Sequence, residues 1–470
     1  MTLVAGVDCS TQATKVLVCD ADTGEVRREG RAAHPDLTEV DPAVWWSALA
    51  EASSGLLDEV RAVGVGGQQH GMVLLDGSGI PVRDALLWND NRSAPEADRL
   101  TGELGGADAW AAATGLVPVA SFTVTKLRWV ADHEPDLAAR ASSVALPHDW
   151  LTHRLSGATG EITTDRGDAS GTGYWSPYDD DYRTDLLRLA FGRDLRTPRV
   201  AGTHEPVGET PSGTVLAPGT GDNMAAALGL DLRPGDVVVS LGTSGTVFAV
   251  AERPINDPTG VVAGFADATG RFLPLVCTLN AARVLNAAAE LTGVPLPKLG
   301  DLALSVDDTD GLVLLPFLDG ERTPPLPDAT GLLYGLTRRN ATRAHLARAA
   351  MEGMLCGLID AVDALRRQRV EPRRIVLIGG AARSPAVQRI AAGLFDLDLA
   401  IPEPAEYVAL GAARQAAWTL AGTNGPPVWT RDEGRVQPDP SQAARAAGVR
   451  ERYRQVLGGA QPLLTARQSP

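Results

Sequence analysis

A strand–turn–strand pattern opens each half of this chain, and it limits the possible folds more than any other feature. Leu3–Val7 reads as a strand, Asp8–Thr14 as a short polar turn and Val16–Asp20 as the returning strand, with Glu25–Ala33 able to add a third. The second half starts in the same way, with Val237–Leu241, the turn Gly242-Thr243-Ser244-Gly245 and then Thr246–Ala251. Two hairpins with small polar tips, one per half, are a repeat of architecture without a repeat of sequence. Strand-like Ala62–Gly66, Met72–Asp76 and Ile375–Ile378 alternate with helical patterns at Pro42–Leu57, Ser93–Leu104, Thr123–His133 and Trp150–Leu155. Further helices are predicted at Leu279–Leu291, Arg343–Gln368, from Ser384-Pro385 onward and at Ala409–Leu420. Asp41 before Pro42 supplies an N-cap and a first-turn proline.

A chain of 470 residues is too long for one core and should divide into two large domains. The break is expected near Arg233-Pro234-Gly235, giving domains at 1–233 and 234–424. Residues 425–470, rich in Pro, Gln and Arg, read as a helix-bearing extension. The Pro-rich stretch Asp319–Asp328 reads as a loop at a cleft.

Charge and cysteine usage narrow the function classes. With 43 basic against 58 acidic residues the net charge is −15, which repels nucleic-acid backbones and anionic membranes. Cys9, Cys19, Cys277 and Cys356 show no C-x-x-C spacing and no neighbouring histidine pair, so a disulfide framework or zinc site is not expected. The first eight residues lack the basic leader of a signal peptide, and no apolar run approaches the ~20 residues that cross a bilayer. The expectation is a cytoplasmic protein with no nucleic-acid or membrane partner. The oligomeric state is open, a homodimer included.

Familiar nucleotide motifs are missing. None of the lysines, Lys15, Lys126 and Lys298, lies in a G-K-[ST] context. The glycine-rich loop and catalytic signatures of protein kinases are absent too. Other segments carry chemistry. In Asp8-Cys9-Ser10-Thr11-Gln12-Ala13-Thr14-Lys15, an acid at a strand end precedes hydroxyl residues in a tight turn. Such a turn can present N–H groups and hydroxyls to phosphate, and the acid can serve a hard cation such as magnesium. Read alone it also fits an ordinary polar turn. Gly242-Thr243-Ser244-Gly245 repeats the composition in the second half, and two such turns could grip a triphosphate from both sides.

In Ile378-Gly379-Gly380-Ala381-Ala382-Arg383-Ser384-Pro385 the glycines leave room for a flat base or ribose, while Ser384-Pro385 equally fits a helix N-cap. Gly219-Thr220-Gly221-Asp222-Asn223 places an acid on glycine-rich backbone before a small-residue helix. A positioned carboxylate that accepts a hydroxyl proton accelerates transfer by roughly 10²–10⁴-fold, but an N-cap aspartate would look the same. Gly66-Gly67-Gln68-Gln69-His70-Gly71 and Trp88-Asn89-Asp90-Asn91-Arg92 suit a polyhydroxylated ligand that needs many hydrogen bonds.

Taken in order, these segments resemble the FGGY carbohydrate kinases, within the wider group of actin-like and heat-shock-chaperone ATPases. Two further segments carry the resemblance: Ser121–Val130, and Gly331–Leu336 running on to His345–Glu352. It covers about residues 1 to 420. The resemblance implies an α/β fold of two actin-like (ribonuclease H-like) domains, with ATP and sugar bound in the cleft between them. Its N-terminal domain binds the sugar and its C-terminal domain the nucleotide. The marks Gly67–Gly71, Leu87–Asp90, Gly221–Asn223, Ser240–Gly245 and Pro316–Pro324 point within the family to D-xylulose as the phosphate acceptor, ahead of ribulose or gluconate. A non-catalytic, sugar-responsive ATP switch is the reading from a different class, and Asp222 argues against it.

By resemblance Asp222 is the catalytic base, and Gln69, His70, Asp222 and Asn223 hold the sugar. Asp8 organises Mg2+, Ser10, Thr11 and Thr243 touch phosphate, and Gly380, Ser384 and Asn280 serve the nucleotide.

Overall fold

The computed structural model describes residues 1–465. They form two compact units, each built on a mixed sheet flanked by helices.

In unit 1, Leu3–Cys9 pairs antiparallel with Ala13–Asp20, which pairs antiparallel with Val26–Ala33. On its other side Leu3–Cys9 runs parallel to Val60–Gly67, beside which lie Val215–Leu216 and then Gly208–Glu209. Period-two alternation of the strand side chains gives the sheet two apolar faces. One packs Val7, Val16 and Val65 against Trp45, Leu49 and Leu151, while the other packs Val4 and Leu17 against Ala409, Leu410 and Ala413. Each fully buried Val or Leu contributes roughly 1.5–3 kcal/mol to this core.

Unit 2 repeats the scheme. Asp236–Leu241 pairs antiparallel with Gly245–Ala249, and that strand with Phe272–Thr278. On its other side Asp236–Leu241 runs parallel to Arg374–Ile378, which is followed by Leu399–Pro402. An antiparallel hairpin continued on one side and a parallel crossover strand on the other recur in both units, so the architectural repeat of the sequence is real.

Several boundaries differ from the sequence reading. The first turn is only Ser10–Gln12, closed by Ser10 N–H donating to the Ala13 carbonyl at 3.1 Å. Asp8 and Cys9 belong to the strand, because the ladder extends to the pairs Asp8↔Lys15 and Cys9↔Thr14. Asp41 caps its helix as expected, but that helix is Pro42–Ala52 and stops at Ser53. The helix expected from Leu279 begins at Ala282, because Leu279 N–H and the Asn280 amide donate to the loop at 320–321.

By spatial contact, residues 1–233, 250–274 and 405–430 form unit 1, and residues 234–249, 275–404 and those from 431 on form unit 2. Small residues let 405–430 join unit 1. The Tyr407–Ala421 helix lies so close to the first sheet that a Cβ on Gly6 would sit 1.8 Å from the Ala409 carbonyl oxygen.

The extension beyond residue 430 docks on unit 2. Glu433–Val436 pairs with Leu399–Pro402, and Arg374 bonds both Asp236 at 2.7 Å and Glu433 at 2.9 Å. The Ala443–Thr465 helix buries Tyr453 and bonds Asp360 through Arg454 at 3.3 Å. Among the described residues no helix is long and apolar enough to cross a membrane. Among the described residues none of the four cysteines forms a disulfide.

Candidate active site

In unit 1 the parallel pairing of Thr220–Gly221 with Gly66–Gly67 brings two distant motifs together. The chain then turns on one side into Gln68-Gln69-His70 and on the other into the helix Asp222–Gly229. A side chain at Gly221 would meet Gln69 Cγ at 2.7 Å, so glycine permits this approach. Asn223 Nδ2 donates to Gln69 Oε1 at 2.9 Å and to Asp222 Oδ1 at 2.8 Å, and the Asn223 backbone N–H donates to the same Asp222 oxygen at 2.7 Å. Gln69 is buried and its Nε2 has no partner among the described residues, which leaves that amide donor for a ligand.

Asp222 is the first helical residue and not the cap. Gly221 holds the N-cap position, with no side-chain cap bond. Asp222 keeps part of its surface open but is densely surrounded by protein. That burial, with the negative charges of Asp8 and Asp168, raises its carboxyl to about 7, against the pull of the Asn223 hydrogen bonds. Two like charges near a buried acid make a carboxylate that takes up a proton readily.

His70 has a left-handed backbone, φ 67°, and its ring lies against Phe122 and Phe265, with centroids 5.0 and 5.6 Å away. Its Nδ1 lies 2.8 Å from the Gly171 carbonyl oxygen and donates to it, which directs Nε2 away from that contact.

Asp8 is buried at the end of the first strand. Lys15 Nζ donates to its Oδ2 at 3.2 Å and to Glu406 at 2.7 Å, whereas Asp8 Oδ1 has no partner among the described residues. Burial raises the Asp8 pKa above the usual carboxylate range, with Lys15 opposing. An orphaned anionic oxygen beside a hydroxyl turn suits a hard cation. Ser10 Oγ donates back to Ala13, and Thr11 Oγ1 accepts from Trp88 Nε1 at 2.8 Å. The rest of the Trp88–Arg92 cluster splits off: Asp90 and Arg92 bond each other, Thr38 and Glu39.

Beneath these residues lies a buried group that the sequence reading missed. His148 Nδ1 donates to Asp168 at 2.6 Å, and its Nε2 is 3.3 Å from Asp149. Despite burial, the charges of Asp149 and Asp168 hold the imidazole protonated, raising it to about 9. Asp165 accepts from the backbone N–H groups of Gly167 and Asp168 and from Thr220 Oγ1 at 2.7 Å. Pro147-His148-Asp149 within an otherwise apolar run was the available sequence signal.

Unit 2 holds the other expected residues. Thr243 is exposed at its turn, and the carbonyls of Gly242 and Thr243 accept from the N–H groups that start the Ala282–Thr292 helix. Gly380 is exposed, and a Cβ there would meet nothing within 4 Å, leaving space over the backbone. Ser384 caps the Pro385–Phe395 helix, accepting from Val387 N–H. Asn280 is buried and spends its amide on Gly320 and Glu321 and its carbonyl on Leu318 N–H.

Residues 3–229 match the model of the FGGY family of carbohydrate kinases, N-terminal domain, and residues 237–420 that of its C-terminal domain. A xylulose kinase of Streptomyces rubiginosus is 48% identical over 98% of this chain and 97% of its own length. One of Streptomyces coelicolor is 49% identical over the same shares. The crystal structure of xylulose kinase from Bifidobacterium adolescentis superposes with a TM-score of 0.90 at 42% identity, covering 97% of this chain and 99% of that one.

Proposed function

The chain belongs to the FGGY family of carbohydrate kinases, and from that premise we propose that it transfers the terminal phosphoryl group of ATP to D-xylulose, giving D-xylulose 5-phosphate. The observation that carries the mechanism is Asp222, fixed by Asn223 beside Gln69 and raised to about 7 by burial and neighbouring acids.

A sugar hydroxyl is a poor nucleophile, and phosphoryl transfer asks mainly for positioning and charge neutralisation. Gln69 Nε2, His70 and Asn223 orient the sugar. Asp222 accepts the hydroxyl proton as the new P–O bond forms, and a base with a pKa near neutrality does so without being permanently protonated. Ser10 and Thr11 in unit 1, and Thr243 in unit 2, are the groups assigned to phosphate. Gly380, with open space above it, and Ser384 are assigned to the nucleoside, and Asn280 acts there through the loop it holds. Asp8 Oδ1 would hold Mg2+, directly or through water; the ion supplies charge neutralisation on the phosphate oxygens. Four cysteines kept out of disulfides fit a reducing, cytoplasmic setting, which belongs to the same proposal.

A coupled ADP-release screen across pentuloses, hexuloses, glycerol and gluconate tests the assignment. D-xylulose should give the highest kcat/KM, and a clearly higher value for another acceptor would overturn it.

A further inference from the structure

The base of this site directly follows a two-residue strand, Thr220–Gly221, and its sugar-binding histidine has a non-glycine left-handed backbone. Both lead to one short segment, residues 165–171. At its start, Asp165 caps the four-residue helix Arg166–Ala169 with two backbone hydrogen bonds and accepts a third from Thr220 Oγ1 at 2.7 Å. Thr220 lies two residues before Asp222 and is fully buried. At its end, the Gly171 carbonyl accepts from His70 Nδ1 at 2.8 Å, and a Cβ on Gly171 would press to 2.7 Å from the His70 ring. Between them Asp168 holds His148, and Ser170 Oγ accepts from Ala266 N–H at 2.8 Å.

We propose that Asp165 and Thr220 are positioning residues: their hydrogen bond locks the Thr220–Gly221 strand, which leads directly into Asp222, to the same segment that orients His70, setting base and sugar contact in one register. Neither residue needs to touch substrate. The bond matters through geometry, since a base displaced by about 1 Å loses orders of magnitude of rate. This inference rests on Asp222 as base.

Thr220→Val removes the hydroxyl and keeps the branched shape, and Thr220→Ser keeps the donor. The proposal expects Thr220→Val to lower kcat by roughly tenfold or more, with D-xylulose binding stoichiometry near one and Kd within about threefold of wild type by calorimetry. Thr220→Ser should restore most of that turnover. A purely structural role would instead lower the binding stoichiometry, because part of the protein would be unfolded. Unchanged kcat in Thr220→Val, or equal losses in both variants, would overturn the proposal. Asp165→Asn, which keeps shape but weakens acceptance, should fall between Thr220→Val and wild type. Asp222→Asn measured alongside separates the two claims. Near-normal turnover there removes the base assignment, whereas the Thr220 pair alone decides the tether.

Discussion

Lys15 stands opposite Asp8 across the first hairpin and neutralises one oxygen of its carboxylate, at 3.2 Å, while the other oxygen is buried without a partner among the described residues. A half-neutralised carboxylate can bind a cation through its second oxygen without requiring the lysine to leave. Asp8→Asn keeps the shape and removes the charge. Turnover at saturating magnesium should fall by roughly tenfold or more, and the magnesium midpoint should rise several-fold. A metal titration at fixed ATP and sugar checks this, and an unchanged midpoint would separate Asp8 from the metal.

His148 is a buried cation between Asp168 and Asp149. Removing one partner of such a group leaves uncompensated charge, so His148→Gln should destabilise unit 1 by roughly 3–5 kcal/mol. The pH dependence has a definite sign. The folded pKa of about 9 lies above the ordinary imidazole value of about 6.5, so the stabilisation is complete below about 6.5 and is lost as pH rises through 9. The gap in denaturant midpoint between wild type and variant should therefore be wide at pH 6 and close at pH 9.5. An equal gap at both values would mean that His148 acts by packing alone.

Asp222 gives a second pH effect. Its pKa is raised from 3.8 to about 7, so the folded state binds more protons than the unfolded chain between those values, and stability falls as pH rises through that window. Asp222→Asn cannot ionise and escapes that loss. The variant should melt a few degrees above wild type at pH 8, at roughly 2–4 °C per kcal/mol relieved, and the gap should narrow by pH 5. A variant less stable than wild type at pH 8 would show that the charge is not strained by Asp8 and Asp168.

The hairpins were legible because small polar residues, Ser10-Thr11-Gln12 and Gly242-Thr243-Ser244, interrupt runs rich in Val and Leu. Asp222, Asn223 and Gln69 were legible as motifs. Their meeting across the chain depends on the pairing of Gly66–Gly67 with Thr220–Gly221, which no local pattern encodes. The Asp165–Thr220 and His148–Asp168 contacts were hidden for the same reason. Each residue alone is ordinary, and only their burial makes the pair significant. The Tyr407–Ala421 helix announced close packing through its alanines and Gly411, but not which sheet would receive it. Gly6 and Gly64, alternating inside two neighbouring strands, were the complementary signal: added side chains there would meet Ala409 and Ala412.

The decisive measurement concerns the role of Asp222 in turnover. Gly221 occupies the cap, and Asp222, the first helical residue, accepts from both the backbone N–H and the side-chain amide of Asn223, so a capping contribution would show in stability and a base in turnover. Asp222→Asn preserves shape and keeps an oxygen for Asn223 while removing the basic site. Turnover should fall by roughly 10²-fold or more, and the calorimetric Kd for the sugar should change far less. In the wild type, kcat/KM should rise with pH along a limb with an apparent pKa near 7, because the free base must be ionised to accept the proton. That limb should disappear from the residual activity of the variant. A folded Asp222→Asn protein with near-normal kcat, or one that keeps the limb, would place the base on another residue.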